Sequence, residues 1–326
     1  MKRPRRTFLQ FAGAAAAAPA FLRVAMAQTY PARPITMIVP YPPGGPTDVL
    51  ARVLAEHMRG SLGQPMIIEN VGGAEGSIGV ARAARARRDG YTIDLGAKST
   101  HVLNGAFYSL PYDVLNDFAP ISPLVTTAEI LFARNTIPAK NLNELITWLK
   151  VNPNMASAGI GATISHLVAA LFQRETSTQF TMVPYRTANI AMQDLVAGQI
   201  DLVFTTPDRL ALMRAGSTKA FAVTSDTRLA LGPDIPTFVE NGLPALSFSL
   251  WFGFFAPRGT PRDIIDKLNG AAVEALADPT VRSRLAQLGM EIFPREQQTP
   301  EALDALQKAD AEKWWPIIKA AKIKGE

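Results

Sequence analysis

With 326 residues, 33 Lys and Arg against 28 Asp and Glu, and no cysteine, the chain excludes disulfides, thiolate metal sites, cysteine nucleophiles and a lipidated cysteine anchor together. Its formal charge of +5 sits in the first 27 residues, where Lys2, Arg3, Arg5, Arg6 and Arg23 stand without an acid. The remainder is neutral, so the apparent basicity argues for no nucleic-acid partner and no anionic membrane surface. About 300 further residues can bury a sizeable core and ordinarily divide into two domains.

Residues 1–27 have the three parts of an export signal in order: Arg5-Arg6-Thr7-Phe8-Leu9-Gln10, similar to a twin-arginine motif, an apolar stretch over 11–22, and Ala25-Met26-Ala27 before an expected cleavage at Gln28. The apolar stretch falls short of the ~20 residues that span a bilayer. The mature chain is expected in the periplasm.

From there short β-branched runs alternate with amphipathic stretches, a pattern for α/β layers with mostly parallel strands. A strand is expected over 35–40. A helix follows with Val49, Leu50, Val53, Leu54 and Met58 on one face and Gly60 or Gly63 to end it. Further strands are expected over 66–69 and, after the Asp89-Gly90 turn, 91–95. Asn141 with Glu144 makes a capping box that starts a second unit. Its strands are expected over 155–158, 180–183, 200–204 and 220–223, with helices after His166, near 190–197 and near 208–215. The last part gives a strand over 248–256 and helices over 261–277, 281–288 and from Pro300.

No low-complexity linker separates the units. Extended crossings near 121–125 and 248–252 are therefore expected, giving one domain from 28–123 with 248–326 and a second from 124–247. Thr36-Met37-Ile38-Val39-Pro40-Tyr41 is echoed by Thr181-Met182-Val183-Pro184-Tyr185. The echo is too short to establish a repeat and reads as chance similarity of two buried strands.

Three strand-to-helix loops carry the chemistry. Tyr41-Pro42-Pro43-Gly44-Gly45-Pro46-Thr47-Asp48 offers amides, a helix start and a hydroxyl, a receptive place for a carboxylate at a strand's carboxyl end. Asp48 either contacts a ligand through an amine or water or simply stabilises the helix N-terminus. The stretch from Gly72 to Gly79 lacks the Walker, dinucleotide and nucleophile-elbow spacings, with Glu75 where the elbow needs glycine. It reads either as a backbone cradle around Ala74 or as a plain connection. The third loop, from Ala158 through Gly159, Gly161 and Thr163 to His166, lies in the second unit, so the loops suggest a clamp.

Ser99-Thr100-His101, Tyr185-Arg186-Thr187 and Thr205 end strands at the same kind of position. Arg186 is either a bidentate partner for a carboxylate or a solvated loop arginine. The three histidines, His57, His101 and His166, form no close pair, so no metal site is expected, and His101 and His166 are the cleft candidates. The tryptophans read as packing.

Taken together, Ile38-Val39-Pro40-Tyr41-Pro42-Pro43-Gly44-Gly45 with Asp48 and Arg52, Glu69-Asn70, Asp89-Gly90-Tyr91-Thr92, Leu110-Pro111-Tyr112-Asp113, Val183-Pro184-Tyr185-Arg186, Gly198-Gln199-Ile200-Asp201 and Trp251-Phe252-Gly253 make the chain resemble the Bug-type receptors, the extracytoplasmic solute-binding proteins of tripartite tricarboxylate transporters. The match runs over nearly the whole mature chain. The resemblance implies a Venus-flytrap pair of α/β lobes joined by two crossing strands, a carboxylate held by loop amides and water in the first lobe, no cofactor, no catalysis, a monomer, and delivery to two integral-membrane subunits.

Thr187 and Ile190 depart from a glycine and a proline common in that family, and Ile160 and Ala162 make the second-lobe loop less polar. The ligand expected is a carboxylate with an apolar or aromatic body rather than citrate. A sensory receptor docking on a membrane kinase and, from another class, a hydrolase using His101 or His166 are the competing readings.

Overall fold

The computed structural model describes residues 29–320, and the export-signal reading lies outside them. The run Ile35–Val39 forms β1, buried except at Thr36, and feeds α1 (Pro46–Leu62), whose proline needs no N–H in the first turn. Leu50, Leu54 and Met58 face the core, and the helix passes through Gly60 to end at left-handed Gly63. Then come β2 (Met66–Asn70), a short 3-10 turn, α2 (Ser77–Ala84), β3 (Thr92–Ala97), a π-helical turn over Ser99–Leu103 running into α3 (Asn104–Phe107), and the long β4 (Phe118–Thr127).

The second unit runs β5 (Ile130–Arg134), α4 (Leu142–Val151), β6 (Ser157–Ile160), α5 (Thr163–Thr176), β7 (Thr181–Pro184), α6 (Ala188–Val196), β8 (Leu202–Thr205), α7 (Leu210–Arg214) and β9 (Thr218–Val223). The chain then returns through β10 (Leu250–Pro257), α8 (Arg262–Ala277), α9 (Pro279–Gln287), β11 (Glu291–Ile292) and α10 (Pro300–Ala320). The Asn141 side chain accepts from Glu144 N at 2.9 Å, and Glu144 reaches back to Lys140 N at 2.8 Å, so the capping signal starts α4.

The strands form two sheets, ordered β11-β4-β10-β3-β1-β2 and β7-β6-β8-β5-β9. This is the expected two-lobed α/β architecture. The sheets are mixed rather than mostly parallel as expected: among the named strands, β1 pairs parallel with β2 and β3 and β6 with β7 and β8, while the other pairs are antiparallel. The strands next to the crossings pair antiparallel, because a chain that leaves one sheet and re-enters it on an adjacent strand runs back along itself.

β4 stays in the first sheet as far as Thr127, paired with Leu250, so the first crossing is the two residues Ala128 and Glu129. Thr224 ties both crossings to the end of β9: its hydroxyl accepts from Glu129 N and its amide donates to Glu129 O, each at 2.9 Å, and its carbonyl accepts from Phe248 N at 2.8 Å.

Two elements lie elsewhere than expected. β6 begins at Ser157, with Met155 exposed, and runs to Ile160 because Ala158, Gly159 and Ile160 pair in register with Met182, Val183 and Pro184. α5 starts at Thr163 rather than after His166, since Ser165 accepts from Ala162 N at 3.1 Å and caps the helix there. The echoed segments differ in setting: β1 is an interior strand and β7 an edge strand without a fully buried residue.

Candidate functional site

The carboxyl ends of β1, β3, β6 and β8 face one another across the crossings, and between them lies a chamber of about 180 Å³. It is lined from the first sheet by Tyr41, Pro43, Gly45, Thr47 and Ser99, and from the second by Gly161, Ser165, Arg186 and Thr205. Leu250 and Phe252 on β10, Phe204 on β8 and Ile164 on α5 make its apolar wall. Adjoining it, a larger cleft of about 1570 Å³ is bordered by Ala74, Glu75, Thr163, His166, Tyr185 and Arg186, with Tyr41, Gly161 and Arg186 shared by both spaces.

The first anion-receptive loop is built around Asp48. Its carboxylate accepts from Gly44 N at 2.9 Å, from Arg52 Nε and Nη2 at 3.0 Å each, and from Asn70 Nδ2 at 2.9 Å. Burial alone would raise this carboxyl, but Arg52, Gly44 and Asn70 outweigh it and hold the group below the usual carboxylate range. Asp48 lines neither space and acts as the internal brace of the loop, which favours the structural of its two sequence readings.

Gly44 is corrected with it: its backbone sits at φ +84°, its amide is taken by Asp48, and it does not line the chamber. Gly45 and Thr47 keep the receptive position, since first-turn amides have no intrahelical acceptor. Asn70 also donates to Tyr41 O at 3.1 Å, and the Tyr41 hydroxyl shares a 2.8 Å hydrogen bond with Ser99, which sets both at the chamber wall.

Thr100 and His101 are withdrawn from the cleft. Both have no exposed surface. Thr100 bonds Ala97 N and O at 3.0 and 3.1 Å, closing the turn after β3. The His101 ring stacks on Phe255 at 4.1 Å and lies 3.3 Å from Asp94. Burial pushes the imidazole down to about 3 and the Asp94 carboxyl well up. A strand-end histidine reads as a cleft residue in sequence; here the π-helical turn folds it back onto its own sheet.

Gly159 is corrected too. It lies inside β6, where a Cβ would come within 2.7 Å of Ile200 and 2.9 Å of Ala191, so it is a packing glycine. Gly161 is the loop residue, and a Cβ there would stand 2.4 Å from Ala188 N, where the β6–α5 and β7–α6 loops touch. His166 is in the first turn of α5 with its ring 5.9 Å from Phe107, at the border of the larger cleft. The Tyr185 hydroxyl donates to Asp194 at 2.7 Å. Arg186 is exposed, borders both spaces, and is in no ion pair among the described residues.

Two acids that the motifs left aside belong to the site. Glu75, in a turn where Ala74 and Glu75 both have positive φ, accepts from Thr163 N at 3.1 Å, with Thr163 Oγ1 3.4 Å away, so its carboxylate sits at the N-terminus of α5. Asn104 closes the same bridge, accepting from Thr163 Oγ1 at 3.0 Å and donating to Glu75 O at 2.9 Å. Glu129, on the first crossing, lines the chamber while only 3% exposed. The sole sequence signal for Glu129 is a charged residue inside an apolar run, Ala128-Glu129-Ile130-Leu131-Phe132.

A family model described as the tripartite tricarboxylate transporter family receptor matches residues 50–323. The protein BugT of Bordetella pertussis is 38% identical over 268 residues, covering 81% of this chain and 82% of its own. Among solved structures, the periplasmic binding protein BugD is 35% identical with a TM-score of 0.85, covering 91% of this chain and 100% of its own. MatC from Rhodopseudomonas palustris with bound malate is 34% identical with a TM-score of 0.84, covering 89% and 100%.

Proposed function

The chain belongs to the tripartite tricarboxylate transporter receptor family, and we propose that, as a periplasmic solute-binding receptor of that kind, it holds a small carboxylate with an apolar body between its lobes. The observation that carries this reading is the chamber, where the Gly45–Thr47 helix start and Arg186 meet an apolar wall of Phe204, Leu250 and Phe252. A volume of about 180 Å³ is below the ~300 Å³ at which drug-sized pockets begin. Arg186 is the one cation among its lining residues, which suits one carboxylate better than the three of citrate.

The first crossing falls at Ala128–Glu129 rather than at the expected boundary between 123 and 124, so the lobes, residues 29–127 with 248–320 and 130–247 among the described residues, close about Ala128–Glu129 and the return before Leu250, and the closed receptor docks as a monomer on two integral-membrane subunits. Export uses the twin-arginine-type segment. On this reading the bound acid leaves unchanged; His101, a candidate base for the competing hydrolase reading, is sealed against Phe255 away from the chamber.

A thermal-shift screen over mono-, di- and tricarboxylates tests the reading. An acid at 100 times its dissociation constant stabilises by about 2.7 kcal/mol. Stabilisation by citrate with none by acids of apolar body would overturn the ligand assignment, and chemical conversion of the recovered acid would overturn the receptor assignment.

A further inference from the structure

The Glu129 carboxyl presents a buried oxygen, Oε2, with no hydrogen-bond partner among the described residues. Buried polar atoms are almost always paired, and an orphan at a cavity wall points to a missing partner. Of the other buried charged groups, Asp48 is fully braced and Lys98 meets Asp310 at 2.9 Å, while Asp94, whose oxygens are also without a hydrogen-bond partner, packs against His101 away from the chamber. Among the described residues, only Glu129 combines an orphaned oxygen with a place in the chamber lining.

Its surroundings are acidic. Asp208, after β8, is near enough to oppose its ionisation; Asp208 itself pairs with Arg209 at 3.2 Å, and Arg209 is also bonded to Asn189. Arg186, the lining cation, makes no ion pair with Glu129. The chamber is thus polar in two places, with an arginine and helix-start amides at one and an unanswered carboxyl at the other.

The geometry points to Glu129 as the specificity-determining acceptor for a hydrogen-bond donor, a hydroxyl or a protonated amine, carried by the bound carboxylate in addition to its acid group. This rests on the carboxylate reading and narrows it to hydroxy or amino acids. Because Glu129 is one of the two crossing residues and its backbone is tied to Thr224, a ligand that answers it also contacts the hinge.

Two matched series test it by calorimetry: succinate, malate and aspartate, and 3-phenylpropanoate, 3-phenyllactate and phenylalanine. Within each series only the group beside one carboxylate changes, from hydrogen to hydroxyl to ammonium. In the series that binds, a donor-bearing acid is expected to bind at least tenfold tighter than its unsubstituted parent.

Glu129→Met, which removes the acceptor, brings the ratio to within about twofold. Glu129→Gln keeps an acceptor but has no proton to release on meeting a cation, so it preserves a hydroxyl preference and abolishes an ammonium preference, which tells the two donors apart. Melting curves of both variants check folding. Equal binding of parent and donor-bearing acids, or a ratio that survives Glu129→Met, overturns this inference and leaves the carboxylate reading standing. Failure of every acid in both series overturns both.

Discussion

Glu129 holds its proton far above the ordinary carboxylate range: burial and the neighbouring Asp208 push its pKa from 4.5 to about 8. Between those two values the folded chain keeps a proton that the unfolded chain has released, so stability falls as pH rises through the window. The full shift corresponds to a loss on the order of a few kcal/mol. In Glu129→Gln that loss disappears, and the variant is expected to match the parent near pH 4.5 and to exceed it near pH 8 in denaturant titrations. Parallel pH curves for the two would contradict the assignment. At Gly161 the constraint is steric: a methyl group 2.4 Å from Ala188 N must push the two second-lobe loops apart. Gly161→Ala is expected to cost about 1–3 kcal/mol and to weaken carboxylate binding, whereas alanine at exposed Gly60, where a Cβ meets nothing within 4 Å inside α1, is expected to stabilise slightly.

At the scale of elements, the bridge from Glu75 to the N-terminus of α5 is a contact between the lobes that any opening must break. Each such hydrogen bond is worth about 1 kcal/mol, so Glu75→Ala is expected to shift the lobe equilibrium roughly fivefold toward open forms, read as a larger radius of gyration in scattering. Thr224 plays the corresponding part at the hinge. Thr224→Val leaves the buried Glu129 amide without its acceptor and is expected to lower stability by about 1–3 kcal/mol.

How far sequence reaches is visible in these same elements. Helix starts with explicit chemistry, Pro46 and Asn141 with Glu144, are found where the residues put them, and the order of strands and helices follows from periodicity. The β6–α5 turn is misplaced because Ser165 caps α5 from inside the helix and Gly159 looks like loop composition while serving as a strand's packing residue. His101 is misread because nothing local reports the π-helical turn that folds it inward. Glu75 and Glu129 are missed since each gains its role from partners 88 and 95 positions away in the chain.

For the whole molecule, α10 locks the first lobe beside the return crossing. Lys98, 3% exposed, meets Asp310 at 2.9 Å and donates to Ser249 O at 3.3 Å, while Trp251 and Trp314 donate to the two Asp310 oxygens at 2.6 and 3.1 Å. Burial lowers the Lys98 ammonium pKa and Asp310 opposes that fall. Removing the acid strands a buried cation, so Asp310→Ala is expected to cost about 3–5 kcal/mol in equilibrium unfolding. Under the proposed function, this anchor, the Thr224 hinge tie and the chamber beside it serve a two-state clamp, whose closed form a ligand favours only by touching both lobes. The most direct test is small-angle scattering of the mature protein with a saturating carboxylate from the thermal-shift screen and, separately, with its primary amide at the same concentration. The radius of gyration is expected to fall with the acid and to stay unchanged with the amide; no compaction with the acid, or equal compaction with both, would contradict a carboxylate held between the lobes.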